Sequence, residues 1–266
     1  MPELPDVEVF KRYIDATALH QTIQRVTAPA PKVLDDMSIS QLGRAVAGRS
    51  FTDSLRWGKY LFLAMDTGQW LALHFGMTSF PRYCREDHGD DGEDAPFDAV
   101  RFFFDNGYML AFNSRRKLGR IRLVDDPGDF AREQNLGPDA LDMGEDEFVE
   151  MAGKARGSLK SLLMNQKHLS GLGNETSDEI LFQGRWHPKT GVQALDGDQR
   201  RQLYRIMRKV LKADLEAGAD QEKMPDWFLL PRRHDGEPCP RCQGPIRRIS
   251  ASGRSAYICP ACQPGP

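Results

Sequence analysis

The first half of the chain shows one helical stretch followed by a series of strand-like runs. Pro5 suits a first helical turn, and the apolar positions that follow it recur at helical spacing in residues 5–18. Short runs rich in aromatic and β-branched residues come next, and Asp105–Gly107 has the composition of a hairpin turn. These runs cover 23–28, 55–65, 70–74, 99–105, 108–113 and 121–124. The pattern predicts a β-sandwich or barrel led by one helix.

The pattern changes near residue 125. Residues 125–142 contain DDPGD and LGPDALD, which is typical of a linker. Helical patterns follow at 175–183 and 198–217, and Ser158 can cap a further helix that begins at Leu159. The second half is therefore predicted to be mainly helical.

The sequence shows neither a membrane-spanning helix nor a signal peptide. No apolar run reaches the roughly 20 residues that a membrane-spanning helix needs, and the N-terminal MPELPDVE is unlike a signal peptide. We therefore expect a cytoplasmic protein, nucleoid-associated if bacterial. Cysteines of a protein in that reducing environment act as ligands or free thiols, and Cys84, which stands alone, is expected to be inert or partly buried.

The net charge of −2 hides an uneven distribution. Residues 86–94 carry six acids and no Lys or Arg, and we interpret them as a solvated or disordered loop. Residues 115–122 carry five basic residues and no acid, and residues 232–254 carry six arginines against two acids. Local fields of this kind attract phosphates whatever the total charge.

The most specific motif lies near the C-terminus. Cys239, Cys242, Cys259 and Cys262 have the spacing C-x2-C-x16-C-x2-C, which predicts two thiolate pairs on tight turns. Four thiolates complete a tetrahedral shell, so we expect one structural Zn²⁺ with no open coordination position. The residues between the pairs read as two strands joined at Ser252–Arg254.

The N-terminus offers a nucleophile. Removal of Met1 would expose the secondary amine of Pro2, and an α-amino group has a pKa of roughly 7.7–8.0. Such an amine can attack a sugar C1′ and form a cationic iminium, and Glu3 beside it can move protons.

Five motifs together resemble the formamidopyrimidine-DNA glycosylase and endonuclease VIII family. They are MPELPDVE, WGKY at 57–60, HFGM at 74–77, GLGN…DE at 171–179 and the CPRC…GR…CPAC ribbon, in the family's order. The resemblance implies an α+β fold with two domains: an N-terminal β-sandwich led by a helix, then a helix–two-turn–helix domain with a zinc-binding hairpin. We accordingly expect a catalytic domain at 1–124, a linker at 125–142, a DNA-binding domain at 143–230 and a zinc finger at 231–266.

The resemblance also implies the catalytic residues of a bifunctional glycosylase and abasic-site lyase. Pro2 is then the Schiff-base nucleophile and Glu3 the acid/base carboxyl. Lys59, in the hairpin after Gly58, is similar to the family's lysine that contacts phosphate and assists β-elimination, with a solvated hairpin lysine as the alternative. Arg254, at the ribbon turn, is similar to the arginine that binds phosphates flanking the lesion and assists δ-elimination.

A second set of residues is expected to contact damaged double-stranded DNA. Asn174 resembles the family's phosphate-binding asparagine, and Lys160 adds charge nearby. Met77 resembles the family's void-filling methionine, with an ordinary core methionine as the alternative. His74 belongs to the same HFGM motif. The intercalation loop contributes Arg115, Arg116 and Leu118.

Four departures bear on the choice of lesion. The usual phenylalanine wedge is absent from the intercalation loop, and Leu118 is the nearest apolar substitute. Thr176 replaces a tyrosine, and Asp6 replaces a glutamate. Residues 217–230 also lack the Gly-Gly-Thr/Ser stretch with which 8-oxoguanine specialists cap the lesion. We expect a monomeric enzyme that removes oxidised or ring-opened bases. The alternatives are a lesion- or abasic-DNA binding protein without base excision, and a zinc-ribbon module for RNA or protein contact.

Overall fold

The computed structural model describes residues 1–265, and the chain divides into two compact units. The first comprises Met1–Pro2 and Asp6–Gln134, and the second comprises Glu3–Pro5 and the chain from Asn135 onward. The boundary falls inside the segment 125–142. Pro266, the last residue of the expected zinc finger, lies outside the described residues.

Seven α-helices and ten strands are formed by residues 1–265. The helices are α1 Leu4–Thr17, α2 Ile39–Val46, α3 Pro127–Glu133, α4 Glu145–Lys154, α5 Leu159–Met164, α6 Asn174–Gly184 and α7 Gly197–Glu216. The strands are β1 Ile23–Thr27, β2 Phe51–Trp57, β3 Tyr60–Met65, β4 Trp70–His74, β5 Ser79–Arg85, β6 Asp98–Phe104, β7 Tyr108–Ser114, β8 Arg120–Val124, β9 Arg247–Ala251 and β10 Arg254–Ile258.

The first unit is a β-sandwich. One four-stranded sheet has the order β1-β6-β7-β5 and the other β2-β3-β4-β8, with every pair antiparallel. Apolar side chains from both sheets form one buried core, where the rings of Phe51 and Phe102 lie 5.6 Å apart. Val7 and Ile14 of α1 are fully buried in the same core. The predicted fold class is therefore confirmed for this half.

The second unit is helical and carries a two-stranded hairpin. Its core is built from α4 to α7 and includes Phe148, Leu163, Leu181 and Met207. The predicted cap at Ser158 is present, since its side chain accepts a hydrogen bond from the Ser161 N–H at 3.2 Å. Strands β9 and β10 pair around Ser252 and Gly253, both at positive φ, as a tight two-residue hairpin requires.

Several sequence predictions were incomplete. The run 55–65 divides into β2 and β3 at a turn, where Gly58 has φ +59°. The expected linker contains helix α3, and the sequence pattern did not reveal α2, α4 or β5. No helix of residues 1–265 has both the length and the apolar character needed to cross a membrane.

Candidate active site and DNA-binding residues

The four ribbon cysteines meet in a geometry that suits zinc. Their sulfur atoms all lie within 4.8 Å of one another. The Cys239 and Cys262 sulfurs are 4.0 Å apart, and those of Cys242 and Cys259 are 3.4 Å apart. A tetrahedral Zn²⁺ with Zn–S bonds of about 2.3 Å needs sulfur separations of roughly 3.8 Å. The donor set fits a closed structural zinc site, and the prediction of structural zinc is confirmed.

The ribbon is held on the C-terminal part of α6. Arg241 donates to the Phe182 carbonyl oxygen at 3.0 Å, and its guanidinium lies 4.5 Å from the centre of the Phe182 ring. Gln263 donates to the Trp186 carbonyl oxygen at 2.9 Å. Arg254 is exposed at the first position of β10, directly after the hairpin turn. The zinc ribbon therefore presents Arg254 from a fixed base.

Glu3 lies at the N-terminus of α6. Its two carboxylate oxygens accept hydrogen bonds from the backbone N–H groups of Glu175 and Thr176, both at 3.0 Å. A helix N-terminus stabilises negative charge, so α6 holds the Glu3 carboxylate through its unpaired N–H groups. Glu3 is only 4% exposed.

The glycines of the GLG turn make this contact possible. A Cβ at Gly173 would lie 2.1 Å from a Glu3 carboxylate oxygen. A Cβ at Gly171, where φ is +111°, would lie 2.6 Å from the Leu4 side chain. Next to the turn, Asn174 is half-buried, and its side-chain oxygen has no hydrogen-bond partner among residues 1–265. Buried polar atoms normally have a partner, which marks Asn174 as a candidate ligand-binding group.

Lys160 is not placed as expected. Its side chain is fully buried and forms an ion pair with Asp178. Burial lowers its pKa, although Asp178 opposes that shift. Lys160 therefore offers no exposed charge to a phosphate, and the expectation of direct DNA contact is corrected. The sequence analysis included Asp178 in the GLGN…DE motif but assigned it no role, although a carboxylate one helical turn after Asn174 pointed to a partner for Lys160.

In the first unit, Pro2 is half-buried and Lys59 is 8% exposed. Trp57 of β2 pairs with Tyr60 of β3, so Gly58 and Lys59 form the two-residue turn between these strands. A freely solvated hairpin lysine is therefore excluded. Its charge acts on His74, whose partner in the β3–β4 register is Tyr60.

His74 is a neutral hydrogen-bonding group. Burial, together with the positive charges of Lys59 and Arg120, lowers its pKa to about 4. Its Nδ1 accepts a hydrogen bond from the Gly76 N–H at 3.3 Å, which leaves Nε2 as the donor in the neutral ring. His74 can therefore donate to a phosphate without carrying charge.

Two apolar side chains are exposed on neighbouring loops of this unit. Met77 is 44% exposed and Leu118 is 42% exposed, which excludes the interpretation of Met77 as a core residue. A Cβ at Gly76 would lie 2.5 Å from the Leu118 carbonyl oxygen, so only glycine lets the two loops approach this closely. An exposed apolar pair on tight loops suits insertion into a base stack.

Arg115 and Arg116 are exposed in the loop before Leu118. The Arg115 guanidinium lies 4.5 Å from the centre of the Phe97 ring and 3.7 Å from an Asp94 carboxylate oxygen. Arg116 donates its backbone N–H to the Thr78 hydroxyl at 3.2 Å. The acidic segment 86–94 begins with one 3-10 turn, Glu86–His88, and continues as a loop whose last residue is Asp94.

The segment that lacks the capping motif is packed rather than extended. Phe228 and Leu229 are buried, and Lys209 lies 4.5 Å from the centre of the Trp227 ring.

Cys84 is half-buried, as expected, and burial raises the pKa of its thiol.

Comparisons with known proteins match nearly the whole chain. Residues 1–121 match the formamidopyrimidine-DNA glycosylase N-terminal domain, residues 136–226 its H2TH domain, and residues 236–265 a zinc finger found in FPG and IleRS. The chain is 33% identical to formamidopyrimidine-DNA glycosylase of Heliobacterium modesticaldum, with 99% of this chain and 100% of that protein covered. It is 34% identical to the Deinococcus radiodurans protein of the same name, with 99% and 98% covered.

A solved structure shares the fold. The Lactococcus lactis protein bound non-covalently to DNA with an abasic site is 25% identical and superposes with a TM-score of 0.87, covering 99% of this chain and 100% of that one.

Proposed function

Because the chain belongs to the formamidopyrimidine-DNA glycosylase family, we propose that Pro2 and Glu3 carry the chemistry by which it removes damaged bases. The enzyme is a DNA glycosylase of base excision repair with abasic-site lyase activity. The observation that carries the proposal is the fixed Glu3 carboxylate. Two backbone N–H groups of α6 hold it beside Asn174, and Pro2 is its neighbour in sequence.

The proposed reaction begins with the amine of Pro2, freed by removal of Met1. Its lone pair forms a bond to C1′ of the damaged nucleoside, and the C1′–base bond breaks with its electrons leaving on the base. The proton lost from the Pro2 nitrogen neutralises the departing base, so the nitrogen regains a lone pair. Glu3 transfers a proton to the sugar ring oxygen, so the ring opens and a C1′ iminium forms. When C2′ loses a proton, the C–H electrons form an enamine with the iminium carbon. The enamine then expels the 3′ phosphate, which leaves with the electrons of the C3′–O bond. A second elimination breaks the C5′–O bond.

The remaining site residues are proposed to hold the DNA. Lys59, Arg254, Asn174 and neutral His74 donate to phosphates, which fixes the register of the duplex without reading its sequence. Met77 and Leu118 fill the space that the extruded nucleotide leaves, with Arg115 and Arg116 beside them. Unstacking a base costs a few kcal/mol, and such a wedge offsets part of that cost.

The partner in this proposal is double-stranded DNA with an oxidised or ring-opened base, bound by one copy of the chain in the cytoplasm. One observation supports DNA as the partner: Arg254 is exposed at the zinc-ribbon turn, where its guanidinium can donate to phosphate oxygens.

The test uses protein from which Met1 has been removed, one duplex with a single abasic site and an identical undamaged duplex. We expect cleavage of the abasic strand alone, with a phosphate on both sides of the gap. Glu3→Gln should slow base removal from a lesion duplex more than cleavage at the preformed abasic site, where the sugar already opens. Tight binding of the abasic duplex with no cleavage would instead favour the lesion-binding protein.

A further inference from the structure

A buried carboxylate, Asp178, joins three segments of the second unit. It lies on α6, and its side chain is fully buried. One oxygen pairs with the Lys160 ammonium of α5. The other accepts hydrogen bonds from Arg233 Nε at 2.9 Å and from the Tyr257 backbone N–H at 3.2 Å. The proposed chemistry uses none of these groups directly.

The first branch of this network leads to Asn174. Lys160 Nζ donates to the Asn174 carbonyl oxygen and to the Ser177 hydroxyl, both at 3.2 Å. Asp178 lies one helical turn after Asn174, so Lys160 spans the first turn of α6. The pair therefore fixes the turn that presents Asn174.

The second branch leads to the ribbon. Tyr257 lies on β10, three residues after Arg254, and its backbone N–H points to Asp178 rather than to a strand neighbour. At the hairpin turn, the hydroxyls of Ser252 and Ser158 lie 3.0 Å apart, and Ser158 caps α5. Strand β10 is thus tied to α6 through one carboxylate and to α5 through one hydroxyl pair.

Charge makes the carboxylate hard to replace. Asp178 faces two cations, since Arg233 is only 13% exposed and Lys160 is fully buried. Arg233 also lies 3.6 Å from a Glu175 carboxylate oxygen, whereas Asp178 is the carboxylate that pairs with Lys160. Buried cations are stable only when paired, so loss of Asp178 removes the ion pair of Lys160 and weakens the hold on Arg233. Movements of these two side chains would pass to Asn174 through Lys160 and to β10 through Arg233, whose guanidinium lies 4.7 Å from the centre of the Tyr257 ring.

We propose that Asp178 is a positioning residue that holds Asn174 and Arg254 in one fixed spacing, so that both reach the phosphates of a single damaged strand. The inference rests on the proposed phosphate roles of Asn174 and Arg254. It adds that their contributions depend on each other through a group that touches no DNA.

A double-mutant cycle tests this dependence. The probe is a duplex with an uncleavable tetrahydrofuran abasic analogue, and its Kd is measured for Asp178→Asn, Arg254→Ala and the double variant. Each single change should raise Kd by about tenfold, and the double variant should be only a few-fold weaker than the weaker single variant. Asp178→Asn should also flatten the salt dependence by about one phosphate contact, as loss of Arg254 does.

Glu179→Gln is the matched control. Glu179 is the next carboxylate on α6 and is equally buried, but it accepts hydrogen bonds from the Leu229 and Leu230 N–H groups. The factors by which Glu179→Gln and Arg254→Ala raise Kd should multiply in the double variant. Zinc content and the melting temperature report whether each variant is folded.

Lys160→Met covers the case in which Asp178→Asn does not fold. It removes one buried cation and leaves Asp178 paired with Arg233. We expect its effect on Kd to couple to Asn174→Ala and to multiply with Arg254→Ala. If the Kd factors multiply in every pair of substitutions, and the wild-type protein cleaves abasic DNA, the positioning role is overturned and the proposed function stands. A wild-type protein that neither cleaves nor forms a borohydride adduct overturns the proposed function instead.

Discussion

At the scale of single residues, the site depends on the missing side chain of one glycine. Gly173 has no Cβ, and the Glu3 carboxylate occupies the space where one would lie. The sequence predicted the kinds of residue involved, a carboxylate and a glycine turn. It could not predict that they touch, because Glu3 and Gly173 are 170 positions apart in the chain.

Gly173→Ala should therefore displace Glu3 while the helical core survives. A misplacement of about 1 Å in a catalytic group can cost on the order of 10²-fold in rate. We expect a loss of that order in base removal under single-turnover conditions, with a smaller loss at a preformed abasic site. Gly191→Ala is the control, since nothing lies within 4 Å of a Cβ there. Equal rates for both variants would contradict the contact.

His74 should stay neutral across the pH range of most assays. Its lowered pKa of about 4 means that, between pH 6.5 and 4, the unfolded chain takes up a proton that the folded chain does not. His74 therefore lowers the stability as pH falls through this window. Its proposed hydrogen bond to a phosphate should not change from pH 6 to 8. A ¹⁵N NMR titration of the imidazole measures this directly, and a midpoint near 6.5 would disprove the buried, neutral ring.

At the scale of elements, the missed segments have identifiable causes. Strand β5 contains Pro81, which argues against a strand in general, yet β5 is at the edge of its sheet, where proline is tolerated. The DDPGD stretch resembles a linker, but Asp126 caps α3 and Pro127 occupies its first turn. Both segments follow known rules, and only the tertiary position decided which rule applied.

The ribbon hairpin is the element whose function is most easily isolated. Arg254→Ala should weaken binding to abasic DNA and impair strand cleavage. It should also reduce the slope of log Kd against log salt concentration by about the contribution of one phosphate contact. Arg247→Ala is the control, because Arg247 is also exposed but pairs with Ile258 at the other end of the hairpin. Equal slopes for both variants and the wild type would return Arg254 to the status of an ordinary surface residue.

At the scale of the whole molecule, the net charge was a poor guide and the order of motifs a good one. The acidic loop is neutralised locally, since Glu86 pairs with Arg25 and Asp90 with Arg101. The fold class and the zinc site followed from motifs at known spacing. The buried pair Lys160–Asp178 did not, because a lysine in a short helix looks the same in sequence whether it faces solvent or another helix.

The two loops that differ from the family pattern should set the choice of lesion. Without a capping stretch and with Leu118 in place of phenylalanine, 8-oxoguanine should be removed slowly compared with ring-opened purines or oxidised pyrimidines. Those lesions stack and pair less well, so their extrusion costs less. A panel of duplexes, each with one defined lesion, measures the single-turnover rates. If 8-oxoguanine opposite cytosine were the fastest substrate, the inference from these loops would be wrong.

The central claim is that the amine of Pro2 forms the covalent intermediate. Borohydride added during reaction with abasic DNA should reduce the iminium to a stable adduct, and peptide mass mapping should place that adduct on Pro2. Protein that retains Met1, or carries an N-terminal tag, should give no adduct, because the proline nitrogen is then an amide without an available lone pair. Efficient trapping with Met1 in place, or an adduct mapped to Lys59, would contradict the account.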